Sequence, residues 1–557
     1  MLQIKYFCKI IFCNFGGSNL KNMRKYIYLI ITAFFIFSFK SANAQITEVS
    51  GEQNGTWNGT IMLMGDVYVT DNLTIEPGTH VLSSKNFSIN VEGVLNAEGT
   101  ADNMITFSVA DTTGFADYEI LNGGWGGIEF RKSGDVVLKY CDFSYGKTPL
   151  GGNGANIRFL SVQNAKVSNC VFHDNIFRAK GGGIYASHSN VEVVDCEAYN
   201  NQGYGYEGSY TYGGGFFFIN CDVVVENIVS HDNYLPAGYG GGCSFDSCNV
   251  VLNKAVFYNN FATNGGGLGL QRSKHLDVKM SNVLAYNNEV IHYGGGMAMA
   301  TASPEITNFT LVENICGGGG GAGMQVSFGS EPVINNSIIY GNHAKYTDLS
   351  GNEYEYYYGS QIWLWGDDNW PLFQNGDVQY GLDSIFHNPD FYTEEYYRDM
   401  INEDPLFVDV DNHDFRLTEN SPCVDSGLAD MTGCFVPETD LQGGPRIFNG
   451  RIDMGCYELN NYGVNEIENN DVDVIVSPNP LNNNSLCVIN VNKPTNAAVR
   501  LISLEGKEIC KKDYQNLFPG ENSIPLGELV RDVQKANRIY LLIIDTQDDR
   551  YCKKVIY

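Results

Sequence analysis

The sequence between residues 140 and 345 repeats with a period of about 28 residues, and this repeat constrains the fold more than any other feature. In each unit a short apolar stretch ends at an Asn, a run of glycines follows, and another apolar stretch comes next. Self-similarity at such a period predicts a solenoid, in which each unit packs against its neighbours. With the Asn as position zero of a unit, the zeros fall at Gly146, Asn175, Asn201, Asn233, Asn260, Asn288, Asn314 and Asn342.

Three short segments in each unit alternate apolar and polar residues, which is the pattern of a strand with one buried face. Two of them precede the Asn, with apolar residues at positions −10 and −8 and again at −5 and −3, and the third follows the glycines. Three such strands in every unit predict a parallel β-helix, in which coils stack and like residues lie over like.

The Asn and Gly columns both have structural explanations. Stacked Asn side chains at a turn can hydrogen-bond to one another and to the turn backbone. A second polar column at position −6 marks the bend between the first two strands. Glycine permits a positive φ and a close approach of neighbouring coils. A phosphate-binding role is disfavoured because no Gly-Lys-Ser/Thr follows these glycines and the run recurs six times.

The cysteines follow the repeat as well. Cys141, Cys170 and Cys196 occupy one inward column in consecutive units, and Cys221 and Cys248 share another. Stacked strands lie about 4.8 Å apart, which would permit a disulfide. A ladder of free, buried thiols is the simpler interpretation. The sequence has no Cys-x-x-Cys pair and no Cys/His spacing typical of zinc sites.

Three upstream segments, 73–81, 91–100 and 123–130, look like earlier coils of the same solenoid. With the Asn-then-Gly-Gly units, they resemble the right-handed parallel β-helix of pectate-lyase-like and bacterial surface proteins, and the coils of polymorphic outer-membrane proteins. The resemblance covers about 50–345. It implies an all-β fold, a right-handed parallel β-helix with three strands per coil, which we place at 45–400. It does not imply a particular activity.

Residues 1–44 have the pattern of a secretory signal peptide. A basic segment at 23–25 precedes an apolar run at 26–39, which is short for a membrane span, and Ala42-Asn-Ala44 fits a cleavage site. An uncleaved anchor is the alternative, and the position of this pattern is compatible with a start codon downstream of residues 1–22. The formal charge of −29 becomes −35 without residues 1–44, which argues against a nucleic-acid partner.

Residues 401–460 resemble the choice-of-anchor segment that ends many secreted bacterial β-helix proteins. The matching motifs are Asp404-Pro-Leu-Phe407, Ser421-Pro-Cys-Val-Asp-Ser-Gly427 and Arg451-Ile-Asp-Met-Gly-Cys-Tyr-Glu458. The resemblance implies a C-terminal cap, because the open end of a solenoid would otherwise expose the apolar core. A polar linker is expected at 461–472.

Residues 473–557 resemble the C-terminal sorting domain of type IX secretion cargo from the Bacteroidota. Ser477-Pro-Asn-Pro480, Leu504-Glu-Gly-Lys507 and the terminal Lys553-Lys-Val-Ile556 carry this match. The resemblance implies a small β-sandwich that engages the type IX machinery. It also implies a protein that is secreted or attached to the outer face of the outer membrane.

The outward positions of the third strand suggest a ligand-binding face. Arg158, Tyr185 and Phe217 occupy this column in consecutive units, and Trp363 and Trp365 lie on a later coil. Aromatic rings beside a cation can stack on sugar rings. Loops such as 202–212 covering these side chains are the alternative. No adjacent pair of carboxylates of the kind that glycosidases use appears on this face, so the sequence predicts no catalytic residues.

Two other groups of residues invite a site. His173 and His231 each precede an Asp-Asn pair, but other units have Tyr at this position, which favours a structural role. Asp409, Asp411 and Asp414 form an acidic cluster that could bind Ca²⁺, although it lacks the EF-hand Gly and Glu.

The sequence thus favours a non-enzymatic, secreted or cell-surface protein that presents an elongated face to a glycan or protein. The alternative is a polysaccharide lyase or glycoside hydrolase with a loop-lined groove at 343–400. There the repeat is interrupted, and Asp367, Asp368 and Trp370 accompany the two tryptophans named above.

Overall fold

The computed structural model describes residues 46–205, 209–347, 353–356, 358–387 and 394–459, and seven shorter segments beyond them: 474–477, 486–491, 495–503, 508–518, 520–526, 539–546 and 550–556. The predicted signal peptide, the predicted linker, and the sorting-domain motifs at 478–480 and 504–507 lie outside these residues. The chain divides into two compact units, one ending at Glu458 and one beginning at Leu459.

The first unit is the predicted parallel β-helix, and no α-helix occurs among the described residues. Its 33-stranded sheet wraps into three faces, named here in chain order within a coil as the first, second and third face. The first-face strands are Gly55–Trp57, Asn72–Ile75, Val94–Glu98, Val136–Lys139, Ala165–Ser168, Asn190–Val194, Val333–Asn335, Leu372–Gln374 and Tyr397–Arg398.

The second and third faces contain separate sets of short strands. The second-face strands are His80–Ser83, Ile105–Val109, Cys141–Ser144, Val171–His173, Glu197–Tyr199, Ile338–Tyr340 and Asp377–Val378. The third-face strands are Ile89–Val91, Ile128–Arg131, Ile157–Leu160, Ile184–Ser187, Phe216–Ile219, Cys243–Asp246, Leu268–Ser273, Met297–Ala302, Met324–Ser327, Ile362–Trp365 and Ile385–Phe386.

Longer strands pass from one face to the next. Ile46–Glu52 and Thr60–Val69 run from the second face to the third. Four strands continue from the first face to the second: Asp222–His231, Asn249–Tyr258, Val278–Tyr286 and Glu305–Val312.

The strand register confirms the predicted columns. Val191 pairs with Ala165 of the preceding coil and with Val223 of the following one. Ile184 stacks in the same way between Ile157 and Phe216. The inward residues of all three faces form one continuous apolar core along the solenoid.

The bend and glycine columns have the predicted backbone. Position −6 is left-handed in every coil of the repeat, for example at Asn169 with φ of 53° and Asn282 with φ of 52°. The first glycine has a positive φ in five of the six runs, which is 72° at Gly181, and in the longer run 317–321 the last glycine, Gly321, has it. At Gly182 a Cβ would overlap the carbonyl oxygen of Gly214 in the next coil, so only glycine fits.

The Asn column forms the predicted ladder. The seven Asn side chains are buried, and the Nδ2 of each one donates to the Oδ1 of the next over 2.6–3.0 Å. The same Oδ1 also accepts the backbone N–H of the preceding Asn at most steps, as at Asn233, where N is 3.2 Å from Asn260 Oδ1. Beyond the last Asn, Gln361 accepts from Asn342 Nδ2 at 2.8 Å and ends the ladder.

The stacked cysteines are free thiols in the described residues. Cys141, Cys170 and Cys196 are buried in one column, and their Sγ atoms donate to backbone carbonyls. Burial raises the pKa of the Cys170 and Cys196 thiols well above the ordinary value. The interpretation as free, buried thiols therefore agrees with the structure.

The structure contains a second sheet that the repeat columns do not predict, called the lateral sheet below. In sequence, most of its strands lie between the Asn of a unit and the glycine run that follows. Its seven strands are Thr211–Tyr212, Gly238–Tyr239, Phe261–Asn264, Glu289–Tyr293, Ile315–Cys316, His343–Thr347 and Glu353–Tyr356. A separate two-stranded ladder pairs Ile176–Phe177 with Gln202–Gly203. Many coils therefore have a fourth strand.

Residues 404–458, called the strap below, lie along the second face of the later coils. The strap contains the antiparallel strands Phe407–Asp409 and Asp414–Leu417, and Phe415 and Cys456 pack on Leu284 and Val312. The sequence predicts a cap across the open end of the core. The described contacts of the strap are on the flank, where it covers outward apolar residues of these coils, and the cap across the open end stays a prediction.

The described residues of the first unit also contain three 3-10 helices: Gly381–Ser384, Glu394–Tyr396 and Val410–Asn412. The described segments of the second unit form two antiparallel sheets. One contains Val474–Ser477, Leu486–Val491 and Gly520–Pro525, and the other contains Thr495–Ser503, Glu508–Leu517, Ile539–Thr546 and Arg550–Ile556. In the described part of the chain, no helix has the length and apolar character needed to cross a membrane.

Candidate functional site

The predicted ligand-binding residues occupy the third face, and the structure separates them into two groups. Arg158 belongs to the first group, and its guanidinium forms hydrogen bonds within the β-helix. Its Nε donates to Glu129 over 3.0 Å, and its Nη1 donates to the carbonyls of Gly126 and Gly154. Burial opposes ionisation of Glu129, but hydrogen bonds and charge from Arg131 and Arg158 outweigh it and lower the pKa of this carboxyl. The Arg158 guanidinium thus stabilises this part of the β-helix.

Phe217 is covered by a neighbouring segment, which is the alternative given above for the outward side chains of this face. Its side chain has 0% exposure. Tyr212 of the lateral sheet lies over it with ring centroids 5.6 Å apart, and the Lys180 ammonium is 5.1 Å from its ring. Tyr185 stacks on Phe217 at 6.0 Å and is half-buried. Tyr185 and Phe217 therefore form an internal stack.

Another tyrosine of the lateral sheet covers the middle of the third face in the same way. Tyr239 folds over Gly269, where an added Cβ would lie 2.7 Å from the tyrosine ring. Neighbouring outward positions are the small residues Ser244 and Ala298, which leave room for such side chains. The middle of the face therefore offers no open aromatic ring.

The far end of the third face holds the second group, Trp363 and Trp365. Tyr293, the last residue of a lateral strand, contacts both indoles, with ring centroids 5.6 and 5.3 Å away. Trp363 stacks on Phe386 of the next coil at 3.8 Å and an interplanar angle of 4°. At Gly320 a Cβ would overlap the Trp363 ring, so the glycine run makes room for the indole.

Two large apolar side chains stay exposed at this end. Trp365 is 45% exposed and Phe328 is 61% exposed. Phe328 directly follows Ser327, the register partner of Trp365, so the two residues lie on adjacent coils. We call this group the open aromatic patch: Tyr293, Phe328, Trp363, Trp365 and Phe386.

Polar groups border the open aromatic patch. Asn369 Nδ2 donates to the Trp365 carbonyl over 2.7 Å and fixes the turn that follows it. Asp368 lies beside Gly329, and Lys274 pairs with Glu331 over 2.9 Å. Exposed rings with hydrogen-bonding side chains at their border are suited to binding a molecule with an apolar face and polar edges.

The sequence contains a signal for this arrangement that lies outside the repeat columns described above. Tyr212, Tyr239 and Tyr293 each directly precede a glycine run. The glycine turn brings each tyrosine back over the third face. Trp365 lies beyond the last of them and stays exposed.

The two histidines belong to a stacked column on the second face. His173, Tyr199, His231, Tyr258 and Tyr286 follow one another with ring centroids 4.4–5.2 Å apart. The column is regular because each ring occupies the same position in its coil.

Carboxylates hold the imidazoles in this column. His173 hydrogen-bonds to Asp174 over 2.7 Å and to Asp142 of the preceding coil over 3.2 Å. His231 makes the equivalent bonds to Asp232 and Glu197. Burial disfavours the charged imidazole, but the carboxylates outweigh it and raise the pKa of His173. Each imidazole links two coils, which supports the structural interpretation.

The predicted calcium ligands do not form a metal-binding group. In the described residues, no group of three or more His, Cys, Asp or Glu side chains is placed to hold a metal ion. Asp409 accepts from Asn412 and caps a 3-10 helix, and Asp414 forms an ion pair with Arg416. Asp411 lies in that helix and is exposed.

Comparison with known proteins identifies the fold. The family model for the right-handed β-helix region matches residues 104–280. No curated protein matches the chain. With the stacked parallel strands, the family match supports a right-handed parallel β-helix repeat fold for the first unit, a fold that is compatible with binding proteins and with enzymes.

Proposed function

We propose that the protein is a secreted or cell-surface β-helix protein that binds glycan through the open aromatic patch. One observation carries this proposal. On a face where tyrosines of the lateral sheet cover the middle coils, Trp365 and Phe328 keep 45% and 61% of their surface exposed. Trp363 and Trp365 lie on a strand of the stacked sheet, and Phe328 directly follows the neighbouring strand, so the patch is held in place before a ligand binds.

The charge of the chain indicates which glycans suit the patch. With a formal charge of −29, the protein repels polyanionic chains at long range. Asp368 at the border of the patch adds to that effect. A neutral polysaccharide, whose sugar rings have an apolar face and hydroxyl edges, fits the aromatic rings and the polar border.

The proposed location rests on the two terminal resemblances. The signal-peptide pattern at 1–44 supports export across the inner membrane, and the sorting-domain motifs within 473–557 support transfer across the outer membrane by the type IX machinery. An exported protein with a rigid, elongated face can hold a cell or a secreted complex on a glycan.

A glycan array probed with the full chain tests this function. We expect retention on neutral polysaccharides, weaker retention on uronate-rich ones, and no dependence on added Ca²⁺. Reducing ends or unsaturated uronides released from the retained glycans would favour a hydrolase or lyase instead. No retention on any glycan, with binding to a protein partner alone, would contradict the proposal.

A further inference from the structure

We infer that the protein has a second glycan-binding site, a tyrosine platform formed by Tyr118, Tyr204 and Tyr234 beside the two-stranded ladder. The platform shares no residue with the open aromatic patch, so the inference does not rest on the patch. It takes a neutral glycan as ligand.

Two rings of the platform stack on each other, and the third tyrosine lies in the next coil. Tyr118 and Tyr204 stack with centroids 4.4 Å apart and an interplanar angle of 15°. Gln202, two residues before Tyr204, forms a parallel backbone β-bridge with Tyr234 in the next coil. Tyr234 stacks in turn on Phe261 at 5.1 Å. Tyr118 is 39% exposed and Tyr234 is 42% exposed.

A buried guanidinium holds two of these residues in place. Arg178 is 9% exposed, and its Nη1 and Nε donate to the carbonyls of Tyr118 and Tyr204 over 2.6 and 2.7 Å. The same guanidinium lies 5.1 Å from the Tyr118 ring. The guanidinium of one arginine therefore joins two loops that are far apart in sequence and fixes the backbone at both tyrosines before a ligand binds.

A second buried cation shapes the loop that presents Tyr118. The ammonium of Lys147, a residue with 0% exposure, donates to four backbone carbonyls of this loop. The acceptors are Gly114, Phe115, Asp117 and Asn122, at 2.7–3.2 Å. A loop fixed by two internal cations keeps its exposed tyrosine at a constant position, which is the arrangement a binding platform needs.

The surrounding charges indicate a neutral ligand. The two cations beneath the platform are buried and donate to carbonyl oxygens, whereas the exposed charged residues beside Tyr118 are Asp117 and Glu119. An anionic glycan would meet these two carboxylates. The side chain of Gln202 and the Tyr204 hydroxyl, which donates to its Oε1 over 2.8 Å, supply groups for sugar hydroxyls.

The experiment is affinity electrophoresis of the full chain through gels that contain soluble β-glucan, mannan, dextran or polygalacturonate. Tyr118→Ala and Tyr204→Ala are compared with Tyr68→Ala, which removes an exposed tyrosine from an early coil. All variants are also made in a Trp365→Ala background, so that a failure of the open aromatic patch and a failure of the platform are distinguishable. Thermal unfolding confirms that each variant is folded.

We expect both platform variants to weaken binding to at least one neutral polysaccharide by about tenfold or more, with Tyr68→Ala unchanged. The loss should persist in the Trp365→Ala background. Three results would overturn the inference. These are unchanged binding of both platform variants, binding to polygalacturonate alone, and retention of a lysine-rich peptide in place of any neutral polysaccharide.

Discussion

Replacing Asn260 by Ala is expected to lower the free energy of unfolding of the β-helix by about 3–5 kcal/mol. Its Oδ1 accepts from the Nδ2 and backbone N–H of Asn233, and its Nδ2 donates to Asn288 and to the Ser230 carbonyl. The site is 1% exposed, so water cannot replace these partners. An unpaired buried donor or acceptor costs about 1–3 kcal/mol, and the variant leaves more than one.

Denaturant unfolding followed by circular dichroism measures this loss. Asn249→Ala is the matched control, because Asn249 is exposed and its side chain bonds to Asp222 at the surface. The control should change the stability by less than about 1 kcal/mol. Equal effects of the two variants would mean that the Asn ladder has no special role in holding the coils.

Replacing Arg446 by Met is expected to release the strap from the second face. Arg446 and Glu458 form an ion pair at 2.8 Å with both side chains 1% exposed. Arg446 also donates to the carbonyls of Asp453 and Gly455, which places the pair at the centre of the strap. Removing one partner of a buried pair leaves an uncompensated charge and costs about 3–5 kcal/mol.

The raised pKa of Glu458 determines how the stability of the strap should change with pH. Burial raises the pKa of Glu458 to about 7 even beside Arg446. A carboxyl with a raised pKa binds its proton more tightly in the folded than in the unfolded chain, so its contribution to stability falls as the pH rises towards that value. Without Arg446 the penalty grows, and lowering the pH from about 8 to about 5 should recover part of the loss.

Limited proteolysis of the full chain at the two pH values detects the release of the strap. Arg446→Met should be cut within 404–458 much faster than the wild type at the higher pH. The double variant Arg446→Met with Glu458→Gln, which removes the buried charge, should be cut more slowly than the single variant. A single variant as resistant as the wild type at both pH values would show that the pair does not hold the strap.

The sequence predicts the β-helix well because each coil repeats one physical pattern. The apolar alternation at Val191 and Val193 requires one buried strand face, and the Asn and Gly columns require one turn geometry. Stacking then fixes the register, so that Asn175 lies over Asn201. These features depend on local spacing, which a single sequence contains.

The parts that the sequence does not predict depend on contacts between distant segments. The strand Thr211–Tyr212 is too short to show a period, yet its tyrosine decides whether Phe217 is covered. The strap lies on the flank because Leu284 and Val312 are apolar and point outward, but the sequence does not say which segment covers them. Arg178 joins two loops only once the coils between them have formed.

The dissociation constant of Trp365→Ala for the best neutral glycan from the array is the most direct test of the proposed function. The indole is 45% exposed and packs edge-on against Tyr293 in the open aromatic patch, so its loss should weaken binding by about tenfold or more without lowering thermal stability. Tyr68→Ala, which removes an exposed ring elsewhere, should bind like the wild type. No further loss of affinity when Trp365→Ala is added to the Tyr118→Ala background, or an equal loss in Trp365→Ala and Tyr68→Ala, would contradict the assignment of the patch.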